Sequence, residues 1–363
     1  MFQIEKPNHI FKINPHQFTR KLLKWNHQHN DRQMPWKGIK DPYKIWLSEI
    51  ILQQTRVEQG LAYYNRFIRT YPTIEDLAKA PSEEVFKLWE GLGYYSRCRN
   101  LLITASHVSN ELNGAFPNTY PEILKLKGIG PYTAAAIGSF AFDLPYAVVD
   151  GNVARVLARI FGIEVSFDSA ESKLIFQQLA QLLLAKKKPG EYNQAMMDFG
   201  ATICKPALPL CNQCPFKKDC FAYNHDLVDV FPLKKKKIAI KKRHFTYFLV
   251  NMGKKIALVK REKKDIWRQL FEFYLVESNS NISKNQLIKL FCKKSELDET
   301  MFDVLKWSTV LTQQLTHQHI SCQFIEIKIN KKMNNLNGFL WINRSDLSKY
   351  PFPRIINQYL ETL

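Results

Sequence analysis

Apolar positions recur at helical spacing from Phe18 to Ala201, whereas from Phe245 they gather into short alternating or continuous runs. Periodicity alone therefore divides the chain into a helical part and a mixed part. In the first part Phe18, Leu22, Leu23 and Trp25 mark one helix, and Asp41-Pro42 reads as the cap and first turn of the next, YKIWLSEIILQQTRV. Helical patterns continue over residues 57–69, 73–80 and 82–89, break at Gly91-Leu92-Gly93, and resume in a long helix that Asn113-Gly114 ends. Further helices are predicted over 172–184 and 192–201, with no strand-like alternation and no long-period repeat. Past Asn224 the helical pattern stops, and residues 234–243 carry seven positive charges in ten positions, which reads as a basic linker suited to a DNA backbone. Strand-like runs follow at 245–251, 256–260, 271–277 and 320–329, with helical patterns near 285–293 and 354–360. The expected organisation is a helical region over 1–225, a linker over 226–243 and an α+β domain over 244–363.

One stretch of the helical part concentrates the chemistry. Gly128-Ile129-Gly130 makes a turn between an apolar approach (Ile123, Leu124, Leu126) and a helix that Pro131 opens without losing a hydrogen bond. The two glycines permit positive φ and close approach of another backbone, and amides at the helix start suit a phosphate. A helix-hairpin-helix that grips a DNA backbone has this form, and so does an interhelical turn with no ligand. Twenty residues past Gly130, Asp150 precedes Gly151-Asn152 and the helical series Val153, Val156, Leu157, Ile160, which is the position of an N-cap. Amide donors and the helix dipole there are expected to keep its carboxylate ionised and ready to face a developing cation. Upstream, Ile45, Glu49 and Leu52 fall on one helical face, and burial on that face favours the protonated acid. One proton donor and one permanent anion form a pair suited to acid–base work. The turn at Tyr94, Tyr95, Ser96 and Arg97 suits either stacking against bases or packing in the core.

Charge narrows the partner. Lys and Arg outnumber acids 52 to 33, giving +19 and a pI near 9.5, so a polyanion is expected, nucleic acid ahead of anionic membrane. The 363 residues and 45% hydrophobic content suffice for two domains with cores and exclude a disordered chain. The opening MFQIEKPNHIFKINPHQF lacks the apolar core of a signal peptide, and no uncharged run approaches a membrane span, so a soluble intracellular protein is expected. Of seven cysteines, Cys204, Cys211, Cys214 and Cys220 form C-x6-C-x2-C-x5-C, a spacing for metal ligation rather than disulfides. Zinc and a four-iron cluster both take four thiolates, and a compact loop carrying Pro206, Pro209 and Pro215 suits the cluster. Lys205, Lys217 and Lys218 give that loop a phosphate-facing character, and Cys98, Cys292 and Cys322 read as buried thiols.

Residues 15–225 resemble the DNA glycosylases of the endonuclease III superfamily and, within them, the MutY family of adenine DNA glycosylases. The matching segments are Pro35-Trp36, WLSEIILQQT from Trp46, GLGYYSR from Gly91, LKGIGPYTAAAI from Leu126, VVDGNV from Val148, NQAMMDFGATIC from Asn193, and the four cysteines. The resemblance implies a monomeric enzyme of base excision repair that flips adenine mispaired with 8-oxoguanine or guanine out of duplex DNA and hydrolyses its N-glycosidic bond. It implies that Glu49 protonates the adenine, that Asp150 stabilises an oxocarbenium-like sugar, and that Tyr132 and Asn152 assist. Asp198 is implied to contact the base, Gln54 and Tyr94 to insert at the oxidised guanine, and Gly128 and Gly130 to hold the DNA backbone. Lys37 stands where the family commonly has arginine, and a point charge replaces a planar fork. The cysteines are implied to hold a 4Fe-4S cluster, and the implied location is bacterial, cytoplasmic and nucleoid-associated. Bifunctional members carry a Schiff-base lysine where Tyr132 stands, so a monofunctional enzyme is expected.

The α+β part, with IALVKRE and LFEFYLVE near its start, resembles the Nudix-like domain of the same family. It lacks a glutamate-rich metal-binding helix, so pyrophosphatase activity is not expected. The family reads 8-oxoguanine through a Phe-Ser-His loop. Leu315-Thr316-His317 corresponds here, with the hydroxyl of Thr316 and the imidazole of His317 kept and the aromatic lost. A glycosylase for another base, a non-catalytic mismatch binder and an iron-sulfur electron carrier are the rival readings. The pairing of Glu49 with Asp150 argues against the second, and the hairpin with the +19 charge argues against the third.

Overall fold

The computed structural model describes residues 13–233, 239–278, 280, 282–330 and 339–363. Two compact units form, one of Met1–Ala78 with Ile103–Lys236 and one of Lys79–Leu102 with Lys237–Leu363. In chain order the helices up to the cysteine loop are α1 (Pro15–His29), α2 (Pro42–Leu52), α3 (Val57–Thr70), α4 (Ile74–Lys79), α5 (Ser82–Trp89), α6 (Ser96–Glu111), α7 (Tyr120–Lys125), α8 (Pro131–Phe142), α9 (Gly151–Phe161), α10 (Ala170–Leu183) and α11 (Pro189–Thr202). A short α12 (Phe221–Asn224) follows that loop. No helix among the described residues is long and apolar enough to cross a membrane.

Local sequence sets the helix boundaries that matter for the site. Asp41 caps α2 by accepting from the amides of Tyr43 and Lys44, with Pro42 at the first position. The helix ends at Leu52 rather than running on to Val57 as the pattern predicts. Thr55 N donates to Leu52 O at 3.1 Å, and Gln54 takes φ 54°, so the chain turns sharply where the apolar face gives way to Gln53-Gln54-Thr55. Asp150 caps α9, accepting from Val153 N, and Gly162 ends that helix in the left-handed region.

In the first unit α1 packs against α9, α10, α11 and the cysteine loop. Phe18, Leu22 and Trp25 share one core with Phe161, Phe176, Phe199 and Phe216, and the Phe18 ring stacks on Phe216 with centroids 4.6 Å apart. α8 contacts both α2 and α11, and α11 also contacts α9. The last contact is close at Gly200, where an added Cβ would lie 2.8 Å from Asn152 Cβ, so only glycine lets the two helices approach this far.

The second unit contains an eight-stranded sheet among the described residues. Its strands are β1 (Lys241–Met252), β2 (Lys255–Lys260), β3 (Phe271–Glu272), β4 (Tyr274–Ser278), β5 (Phe302–Trp307), β6 (Leu311–Gln314), β7 (Gln318–Ile329) and β8 (Leu340–Asn343). β1 pairs in parallel with β7 along nearly its whole length, and the other pairings are antiparallel. Both faces of β1 are covered. α13 (Lys284–Ser295) stacks Phe291 on Phe248 at 4.1 Å, and α14 (Arg354–Leu360) presents Tyr359, which stacks on Phe324 of β7 at 4.0 Å. The 271–277 run is divided at buried Phe273, and β5, β6 and β8 lie outside the strand-like runs of the sequence, with one buried position in β5, one in β8 and none in β6. α13 carries no carboxylate. Of the basic run, residues 234–238 lie outside the described residues, and Lys241, Lys242 and Arg243 begin β1. Arg243 is buried and engages both Asp265 and Glu277, so its charge is used within the domain.

Candidate active site

Glu49 sits on α2 with Ile45, Ile50 and Ile51, and only 5% of it is exposed. Its Oε2 accepts from the Tyr132 hydroxyl at 2.7 Å. Burial raises the Glu49 pKa, the Tyr132 bond opposes this, and the charge of Asp150 raises it further, leaving the carboxyl at about 7. The expected burial on an apolar helix face is therefore present, and so is its electrostatic result. Burial and the two carboxylates also push the Tyr132 phenol well above its usual range.

Glu49, Tyr132, Asp150 and Asn152 line one cavity of about 370 Å³ together with Arg32, Met34, Trp36, Gln54 and Gln194. Asp150 Oδ1 accepts from Val153 N at 2.7 Å and Oδ2 from Asn152 Nδ2 at 2.8 Å. Burial nevertheless outweighs these donors and raises its pKa, where donors and dipole alone predict a lowered one. Asp150 accepts from two donors and Glu49 from one. Arg155 steadies Asn152, its Nη2 donating to Asn152 Oδ1 at 2.8 Å and to Gly200 O at 2.8 Å. A second cavity, of about 240 Å³, meets Glu49 from another side and is lined by Trp36, Lys37, Lys40, Ser48 and Glu191.

Asp198, which the resemblance assigns to contact with the base, sits on α11. It is fully buried and absent from both linings, and its oxygens accept from Asn30 Nδ2 (2.9 Å), Arg32 Nη1 (2.8 Å), Lys37 Nζ (3.0 Å) and Gln194 Nε2 (3.1 Å). Four donors fill a carboxylate's acceptor sites, and two of them, Arg32 and Gln194, line the larger cavity. Lys37 is spent on the same carboxylate and on Arg32 O. Arg32, Gln194 and Arg155 went unread in the sequence. The i−4 spacing of Gln194 from Asp198 and the i+3 spacing of Arg155 from Asn152 were the available signals.

Gly128 has φ 80° and is exposed, whereas Gly130 is half-buried with open space where a Cβ would stand. Tyr95 is core and Tyr94 is 44% exposed, with its hydroxyl 2.6 Å from Thr316 Oγ1 in the same unit. Leu315-Thr316-His317 forms the tip of the β6–β7 hairpin, closed by Leu315 N donating to Gln318 O, with Thr316 and His317 exposed. Cys204, Cys211, Cys214 and Cys220 line one small cavity with Arg159, Phe199 and Tyr223. Among the described residues no group of three or more His, Cys, Asp or Glu side chains stands at metal-holding distances. Cys98 and Cys322 are buried and Cys292 half-buried.

A glycine hairpin ahead of Tyr132, a buried acid on α2 and a capping aspartate on α9 together define a helix-hairpin-helix DNA glycosylase. Residues 47–182 match the HhH-GPD superfamily of base excision DNA repair proteins, and residues 246–362 match the NUDIX domain. The chain is 36% identical over 329 residues to the adenine DNA glycosylase of Buchnera aphidicola subsp. Baizongia pistaciae, covering 90% of this chain and 91% of that protein. A thermostable thymine-DNA glycosylase is 32% identical with a TM-score of 0.54, covering 58% of this chain and 97% of that one. A trapped endonuclease III–DNA intermediate shares the fold at 23% identity and a TM-score of 0.51, covering 59% of this chain and 99% of that one. The chain belongs to the adenine DNA glycosylase family. It is an adenine-specific DNA N-glycosylase, and DNA is its substrate.

Proposed function

We propose that this enzyme excises adenine opposite 8-oxoguanine or guanine as a monofunctional glycosylase. The observation that carries the reading is the single cavity shared by Glu49, Tyr132, Asp150 and Asn152. A stacked adenosine cannot be reached, so the nucleotide is flipped into that cavity. Protonated Glu49 donates to a ring nitrogen of the adenine, and the C1′–N bond breaks with its electron pair passing to the base. Asp150 offsets the positive charge on the sugar, and Asn152, held by Arg155, holds Asp150. Water then adds at C1′ and returns a proton to the Glu49 carboxylate. Tyr132 offers no amine for a Schiff base, so the product is free adenine and an intact abasic strand.

The lesion reading rests on the exposed Thr316-His317 tip and on Tyr94, whose hydroxyl meets Thr316. Gln54 lines the cavity in a left-handed conformation and is the residue assigned to insertion. Cys204, Cys211, Cys214 and Cys220 are proposed to hold a 4Fe-4S cluster, because four thiols share one lining in a compact loop. Bound, it would fix the shape of the loop carrying Lys205, Lys217 and Lys218. A helical region to residue 225, a basic linker and a Nudix-like reader, acting as a monomer in the bacterial cytoplasm on nucleoid DNA, complete the proposal. The test is single-turnover adenine release from duplexes with adenine opposite 8-oxoguanine, guanine or thymine. Faster release opposite 8-oxoguanine supports the reading, and equal rates opposite all three bases remove it.

A further inference from the structure

The eight residues from Asp143 to Asp150 carry the catalytic aspartate into the site without belonging to any helix or sheet. Buried backbone in such a segment needs partners, and Ala147 and Val148 are each only 1% exposed. Three side-chain amides supply them. Gln181 accepts from Ala147 N at 2.9 Å and donates to Pro145 O at 2.8 Å, and Gln177 donates to Ala147 O at 2.8 Å. From the opposite side, Asn193 accepts from Val148 N at 3.1 Å and donates to Tyr146 O at 2.9 Å. Residues 145 and 147 thus pair with α10, and residues 146 and 148 with α11, as a central strand pairs with two neighbours. Asn193 is itself 1% exposed and donates to Ser139 Oγ of α8 at 2.9 Å.

We propose that Gln177, Gln181 and Asn193 are positioning residues for cleavage of the glycosidic bond, forming an amide clasp that sets Asp150 against Glu49. The N-cap bond ties Asp150 to α9 alone, whereas the clasp ties the segment before it to α11 and, through Ser139, to the helix that bears Tyr132. Val148, the last clasped residue, is two positions before Asp150. The ionisable groups around Glu49 are Tyr132, Asp150 and Arg32 in one cavity and Lys37, Lys40 and Glu191 in the other. Among these, only Asp150 rides on the clasped segment. Loosening the clasp withdraws the Asp150 charge from both the sugar and Glu49.

The inference rests on the roles given to Glu49 and Asp150 under Proposed function. Its test is the full-length double variant Gln177→Met/Gln181→Met, which keeps side-chain length at two half-buried positions. Affinity for a duplex with a non-cleavable adenosine analogue is expected to stay within about threefold of wild type, separating binding from chemistry. Single-turnover release is expected to fall on the order of 100-fold, the cost of a small misplacement in a preorganised site. The basic limb of its pH profile is expected to move to lower pH, a change that a purely structural role would not produce. If the double variant does not fold, Gln181→Met alone reads the same two quantities. A folded variant with the wild-type rate, or a slower one with an unmoved limb, overturns the clasp. Glu49→Gln and Asp150→Asn run alongside. If they leave release intact, the site assignment fails, and if they abolish it while the clasp variants change nothing, the clasp alone fails.

Discussion

The Tyr132 hydroxyl donates to Glu49 Oε2 at 2.7 Å, joining the first turn of α8, two residues past the hairpin, to the buried acid on α2. The bond favours the ionised acid, while burial and Asp150 favour the protonated one. Removing it by Tyr132→Phe should move the basic limb of the pH–rate profile upward. Loss of one hydrogen bond of ordinary strength should slow release at pH 6 by about three- to tenfold. Single-turnover rates from pH 5 to 9 measure both.

Glu49 also makes stability depend on pH. Its folded-state pKa of about 7 lies above the ordinary 4.5, so the native state keeps a proton that the unfolded chain releases between those values. The stabilisation is complete below about pH 4.5 and is lost as pH rises through 7. Glu49→Gln should abolish release and stabilise the fold relative to wild type at pH 8 by on the order of 3 kcal/mol at most, seen as a higher Tm. Calorimetry at pH 5 and pH 8 compares the two proteins.

At the hairpin, a methyl group at Gly130 meets nothing within 4 Å, and φ there is −99°. Gly130→Ala should therefore fold with an unchanged Tm yet bind duplex DNA more weakly, because the methyl occupies the path of an approaching phosphate. Gly128→Ala, at φ 80°, should instead cost about 1 kcal/mol of stability. Paired melting and binding titrations distinguish the two glycines.

Asp198→Ala leaves Arg32 and Lys37 without their shared anion. A fall in stability of about 3 kcal/mol is expected from stranding partly buried cations. Lost orientation of Arg32 and Gln194 should also weaken binding of the flipped base. Chemical denaturation and affinity for a non-cleavable substrate analogue check the two effects.

Much of the site was legible because its signals are local. Asp150 announces itself as an N-cap, Glu49 by its place on an apolar face, and the hairpin by two glycines before a proline. Asp198 was legible as a residue but its partners were not, because the four donors come from the loop after α1 and from α11 and meet it only in three dimensions. The 145–148 segment was invisible for the same reason. Its partners are side-chain amides on two helices, and no periodicity records them. β5 and β6 escaped because edge positions with exposed side chains lack the alternation that marks a half-buried strand.

The most direct test of the central claim is the pH dependence of single-turnover adenine release from a duplex bearing an adenine mispair, with Glu49→Gln as control. The predicted profile has a basic limb that falls with a midpoint near 7, and release vanishes in the variant. Release that persists in Glu49→Gln, or that stays flat through neutral pH, would contradict Glu49 as the proton donor.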